Sequence, residues 1–93
     1  MKKEKKEGKG IFYYNNGDRE MGDYLNGKEN GTGTFTWSDG AIYVGNFKDG
    51  KKEGKGIYYY KNGDREMGDY LNGKEVGKHV TLHVNGEIST KIY

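Results

Sequence analysis

Two histidines, a recurring set of carboxylates and two Gly-Lys-Gly triplets are the residues of this chain that could carry chemistry. His79 and His83 lie four apart. On a strand that spacing puts them on one face but about 13 Å apart, too far to share a metal ion held by bonds of about 2 Å. They are expected on a polar face of the last repeat, without a metal or catalytic role. Asp18, Glu20, Asp23, Asp64, Glu66 and Asp69 recur in register with Arg19, Arg65 and the lysines. An acid and base pair needs a pocket that drives two pKa values apart, so these carboxylates are expected to be solvated. Gly54-Lys55-Gly56 resembles a phosphate loop, yet no helix follows to offer its N-terminal amides. Asn30-Gly31-Thr32 is formally a glycosylation sequon; without a secretory signal it is expected to stay unused. The expectation is no catalytic, cofactor-binding or metal-binding residue, and hence no enzyme.

The elements that would position such groups are set by repetition. Lys5 to Gly27 and Lys51 to Gly73 differ only where Phe12 stands for Tyr58 and Asn15 for Lys61. Between them lies a looser copy, residues 28–50, and after them a worn one, residues 74–93. The chain reads as a single domain, residues 1–93, made of repeats 5–27, 28–50 and 51–73 and a terminal capping repeat, 74–93. A fixed period of this length indicates stacked repeats, and terminal repeats are usually atypical.

Composition narrows the class. Hydrophobic residues make up only 31% and charged residues 32%, a balance that would suggest disorder but for nine Tyr, three Phe and one Trp placed periodically. Net charge is +2, too little field to imply a nucleic-acid partner. Cysteine is absent, so no disulfide or thiolate site is expected. The start, MKKEKKE, is charged and followed by no apolar run, unlike a signal peptide. The expected location is cytoplasmic, with a peripheral position on a membrane as the alternative.

The glycines fix the strands. Gly17, Gly40, Gly63 and Gly86 each follow Asn or Asp, the strongest short hairpin signal. Gly27, Gly50 and Gly73 mark the turns between repeats, with Gly8, Gly31, Gly54 and Gly77 just beyond. Segments such as Ile11 to Tyr14, Thr32 to Trp37, Ile57 to Tyr60 and Lys78 to Val84 are rich in β-formers, and eight short antiparallel strands are expected, two per repeat. A type I turn with a glycine bulge pairs Gly33 with Gly45, Phe35 with Tyr43 and Gly10 with Gly22. This register gathers glycines and aromatics on one face; a slip of one would scatter them. Strand glycines weaken a strand unless something packs over them, so rings are expected on a glycine floor. Ile11, Tyr13, Met21, Thr34, Thr36, Val44, Ile57, Tyr59, Met67 and Leu71 fall on the other face.

These columns resemble MORN repeats (membrane occupation and recognition nexus). The closest copy of the family's YxGxF/W core is Tyr43-Val44-Gly45-Asn46-Phe47, followed by Lys48-Asp49-Gly50-Lys51 and Gly54-Lys55-Gly56. Glu20 and Glu66 stand where the family has its leading tyrosine, and the last repeat lacks both the GxG and the YxG, features that lean toward a divergent bacterial or protist variant. The resemblance implies an all-β fold, a single-layer twisted antiparallel sheet of successive hairpins, with scaffolding, oligomerisation or binding of acidic phospholipids as its roles.

Two surfaces follow. An aromatic groove of Phe12, Tyr14, Tyr24, Phe35, Trp37, Tyr43, Phe47, Tyr58, Tyr60 and Tyr70 is expected to receive a protein or peptide segment, or a second copy of the chain, because a one-layer sheet leaves large aromatic surface uncovered. Trp37, Phe35 and Tyr43 are its expected anchors. A ridge of Lys9, Lys28, Lys51, Lys52, Lys55 and Lys74 (with Lys6 and Lys78) near the inter-repeat turns could face acidic lipid headgroups, with Glu7, Glu29, Glu53 and Glu75 offsetting it.

Overall fold

A computed structural model describes residues 7–93. The charged start, MKKEKKE, falls largely on residues 1–6, outside the described residues. Eight strands follow one another in chain order: β1 Gly8–Tyr13, β2 Arg19–Leu25, β3 Lys28–Thr36, β4 Ile42–Lys48, β5 Lys51–Tyr59, β6 Arg65–Leu71, β7 Lys74–Leu82 and β8 Ile88–Ile92. All pair antiparallel in one sheet ordered β1 to β8. Its extents are 53 × 25 × 17 Å. The expected fold class stands.

Two kinds of turn alternate, and each follows from its residues. Within a repeat the Trp37 amide donates to the Ala41 carbonyl (2.9 Å) and the Gly40 amide to the Trp37 carbonyl (3.0 Å). Gly40 has φ 103°, the left-handed bulge position that glycine occupies without Cβ strain. Between repeats, Asn26-Gly27, Asp49-Gly50 and Asn72-Gly73 have φ values of 51–54° and 83–85°. Positive φ at both central residues makes the two-residue hairpin turn whose twist matches the strands. It lets pairing run straight to Leu25↔Lys28 and Leu71↔Lys74. That is why β3, β5 and β7 start several residues earlier than the β-rich segments suggested. The expected register holds, with Gly33↔Gly45, Phe35↔Tyr43 and Gly10↔Gly22 paired.

The two faces differ in kind. On one, Gly10, Gly22, Gly33, Gly45, Gly56 and Gly68 pair across successive strands, apart from the bulged β6–β7 crossing. Side chains lie on this floor. A Cβ at Gly45 would stand 2.5 Å from the Tyr43 hydroxyl, and one at Gly56 would overlap the Tyr43 ring. The core sits here, with Tyr43, Phe47 and Tyr70 buried and Trp37 and Tyr58 packed against them. On the far face one register row crosses all eight strands: Ile11, Met21, Thr34, Val44, Ile57, Met67, Val80 and Thr90.

Candidate functional site: a double row of rings on the glycine face

The rings on the glycine face form two rows. The first runs Phe12–Tyr14–Phe35–Trp37–Tyr58–Tyr60 with successive centroids 4.7, 6.0, 4.6, 5.3 and 4.7 Å apart. These rings come from the ends of β1, β3 and β5 and the residues entering the hairpin turns, and all six keep solvent contact. Beside them lies an open depression of about 350 Å³ lined by Tyr14, Glu20, Phe35, Trp37, Phe47, Lys51 and Lys52, with Gly50 and Gly73.

The second row is buried except for its last ring, Tyr93, which is 42% exposed. Phe47, Tyr43, Tyr70, His79 and Tyr93 meet edge to face, with centroids 5.3, 5.3, 5.3 and 4.7 Å apart. Tyr43 is 0% exposed. Tyr24, Tyr43, Phe47 and Tyr70 were expected in the groove; they are core instead, because the floor lets each ring lie flat and neighbouring rings then cover it. Tyr43 cannot anchor a partner. Desolvation first, then the Glu29 carboxylate, pushes the Tyr43 phenol up to about 12. Burial raises Tyr70 as well, and burial with the Glu20 and Glu29 charges raises Tyr24.

Lys52 lies between the rows. Its Nζ is 5.5 Å from the Trp37 ring centroid, 4.9 Å from Tyr43, 5.4 Å from Tyr58 and 5.4 Å from Tyr70. Cations over ring faces are attracted by the ring quadrupole. Desolvation lowers its pKa, with Glu75 opposing. Lys52 therefore leaves the expected lipid-facing ridge. Lys9 and Lys55 leave it too: they line the far face beside Asp23 and Asp69, at 3.1 and 3.8 Å. Strand alternation separates them from the turn edge. Lys28, Lys51 and Lys74 remain there, the first two around a depression shared with Lys48, Asp49 and Glu53.

Two expectations about ionisable groups are corrected in the last hairpins. Glu66 is 5% exposed, not solvated, and His79 is 1% exposed rather than on a polar surface. Glu66 occupies the column of Tyr43, one 23-residue period later, and His79 the column of Gly56. The imidazole fills the floor over Gly68 that a tyrosine would otherwise cover. His79 Nδ1 lies 2.8 Å from Glu66 Oε2, and Nε2 lies 2.8 Å from the Asp69 carbonyl. Both ring nitrogens lie close to oxygen acceptors. Tyr60 and Tyr93 donate to the Glu66 carboxylate. Burial pushes the Glu66 pKa up, but the two phenols and His79 outweigh it and hold it below the usual glutamate range. Tyr93 was missed as a member of the ring array. The signal was available, since Tyr24, Phe47, Tyr70 and Tyr93 share one column.

The last hairpin also aligns residue types that the sequence reading had found no catalytic set among. His83 Nδ1 is 3.0 Å from Asp64 Oδ2, and His83 Nε2 is 2.7 Å from Ser89 Oγ. That order resembles an acid–base–nucleophile relay, yet the His83–Ser89 link has counterparts in other repeats. Tyr14 donates to Glu20 and Tyr60 to Glu66 from the same two columns. Asp18 accepts from the Ser38 amide as Asp64 accepts from Val84. The Val84 amide, with His83 and Asn62, holds the Asp64 pKa below the usual range. The cluster ties neighbouring hairpin turns together. Among the described residues no group of three or more His, Cys, Asp or Glu could hold a metal ion, and no helix is long and apolar enough to cross a membrane.

The sequence model of the MORN repeat matches residues 3–19, 21–42 and 43–65. The hairpin pattern continues in β7 and β8, beyond the matched spans. No curated protein matches the chain.

Proposed function

The chain belongs to the MORN repeat family, and on that premise we propose that it is a non-catalytic interaction module whose exposed ring row binds a protein segment. Repeats of this family serve generally as interaction or membrane-associated modules. The carrying observation is the division of the glycine face. One row of rings is spent on holding the sheet, while Phe35, Trp37 and Tyr58 remain part-exposed beside an open depression. Aromatic rings of this kind supply contact area at low entropic cost and are enriched at interface centres.

Trp37 is the sole tryptophan, so its fluorescence reports the site directly. Peptides selected on the chain from a displayed random library should shift Trp37 emission to the blue and lose binding in Phe35→Ala. Selected peptides that leave the emission unchanged would place binding elsewhere. Non-catalysis is checked with a fluorophosphonate probe, which should leave Ser89 unlabelled; stoichiometric labelling abolished by His83→Ala would overturn it.

The lipid reading rests on Lys28, Lys48 and Lys51 around one turn depression, with Asp49 and Glu53 beside them. Flotation with phosphatidylserine vesicles decides it, since a headgroup role requires salt-sensitive co-flotation.

A further inference from the structure

The far face carries no ring floor and no covering layer among the described residues. We propose that it is a homodimer interface, two copies packing sheet on sheet. Its centre is the apolar stripe of Ile11, Met21, Val44, Ile57, Met67 and Val80, aligned by register across the sheet with Thr34 and Thr90. Ile11 is 55% and Met67 40% exposed. Around Val44, Ile57, Met67 and Val80 the surface forms an open depression of about 660 Å³. A contiguous exposed apolar surface of this kind marks an interaction site.

The flanks identify the occupant. Strand alternation puts Asp23 and Asp69 on one side of the stripe and Arg19 and Arg65 on the other, within the same strands: Arg19-x-Met21-x-Asp23 and Arg65-x-Met67-x-Asp69. The neighbouring strands repeat the pattern as Lys9-x-Ile11-x-Tyr13 and Lys55-x-Ile57-x-Tyr59. A two-fold axis in the plane of the interface, running along the stripe and perpendicular to the strands, exchanges the two flanks. Asp69 of one copy then meets Arg65 of the other, Asp23 meets Arg19, and Lys9 and Lys55 meet Tyr13 and Tyr59. The stripe falls on itself. The two-fold thus sets each of these arginines opposite an aspartate and the stripe against itself, as an isologous contact requires, with Asp23 and Asp69 shared between the partner's arginines and their own Lys9 and Lys55.

The dimensions suffice. A sheet whose overall extents are 53 × 25 × 17 Å has room for the roughly 800 Å² per partner of a standard stable interface, and sheets stack face to face about 10 Å apart. The ring face stays open, so this proposal and the peptide-binding reading fail independently.

Sedimentation equilibrium of the full chain over a range of concentrations is the test. The expected mass is twice 10.5 kDa. Met67→Glu should give a folded monomer, with folding checked by circular dichroism. Arg65→Asp should weaken the dimer about tenfold or more, about 1.4 kcal/mol, and adding Asp69→Arg should restore it, which a merely misfolded variant would not do. Trp37→Ala should leave the mass unchanged. A monomer at every concentration overturns the proposal. So does a dimer that survives Met67→Glu, and so does a monomer whose Met67 methyl signal shifts only with phosphatidylserine vesicles.

Discussion

The buried row of rings and the open row lie on one glycine face, come from the same repeats and contain the same residue types. They differ in what lies beneath and beside them. Tyr43 lies over Gly45 and Gly56 and is walled in by Phe47 and Tyr70. Trp37 stands near the hairpin turn, outside the glycine floor, between Phe35 and Tyr58, and packs on the edge of the core while staying part-exposed. In a one-layer sheet, position relative to the floor therefore decides whether a ring holds the fold or is offered to a partner. The buried row itself has two solutions. Over Gly45 and Gly56 the filler is one tyrosine; over Gly68 it is the His79 imidazole, beside a Glu66 carboxylate that accepts from Tyr60 and Tyr93.

The largest way to break the comparison is Tyr43→Ala. It removes a fully buried ring and should cost about 3–5 kcal/mol, measured by urea unfolding, whereas Trp37→Ala should cost about 1 kcal/mol, the worth of its ring pairs. Equal costs would mean that the two rows are one core.

Exchanging the two solutions sharpens it. His79→Gly alone leaves Glu66 buried without the imidazole beside it and opens a void over Gly68, and should destabilise by about 3–5 kcal/mol. Adding Glu66→Tyr rebuilds the Tyr43 arrangement one repeat later, with a ring over Gly68 and a glycine at position 79, and should recover most of that loss. No recovery would show that the last hairpins are built on a different plan.

Acid and alkali should act on different parts of the buried row. The folded-state pKa of Glu66 is depressed, so its stabilisation is present above the unfolded glutamate value and is lost as pH falls through and below the usual range. Tyr43 is raised from 10.0 to about 12. The unfolded phenol ionises first, so stability should fall as pH rises from 10 toward 12. Unfolding free energy followed against pH should lose the Glu66 part of its acid limb in the His79→Gly/Glu66→Tyr variant, keep the part that Asp64 contributes, and keep its alkaline limb.

Much of this was legible beforehand, and the gaps have a physical pattern. The Asn-Gly and Asp-Gly pairs fix the turns and the turns fix the register, so the faces of Gly45, Tyr43 and Ile57 could be read directly. Burial could not. A column says which face a side chain leaves from, and Tyr43 and Tyr58 leave from the same one. It does not say which way a long side chain leans, and that is what separates Tyr43 under its neighbours from Tyr58 at the surface, or brings Lys52 inward. The Glu66–His79 pair escaped notice because each residue alone looked like a departure from the repeat. Only the 23-residue offset brings them together over Gly68.

The claim that one row holds and the other binds is tested most directly by titrating Trp37→Ala and the unmodified chain with one library-selected peptide by isothermal calorimetry, beside urea unfolding of both. The account predicts near-equal stability and a loss of two or more kcal/mol of binding free energy, on the order of a hot-spot residue. Unchanged binding, or binding lost only in step with folding, would contradict it.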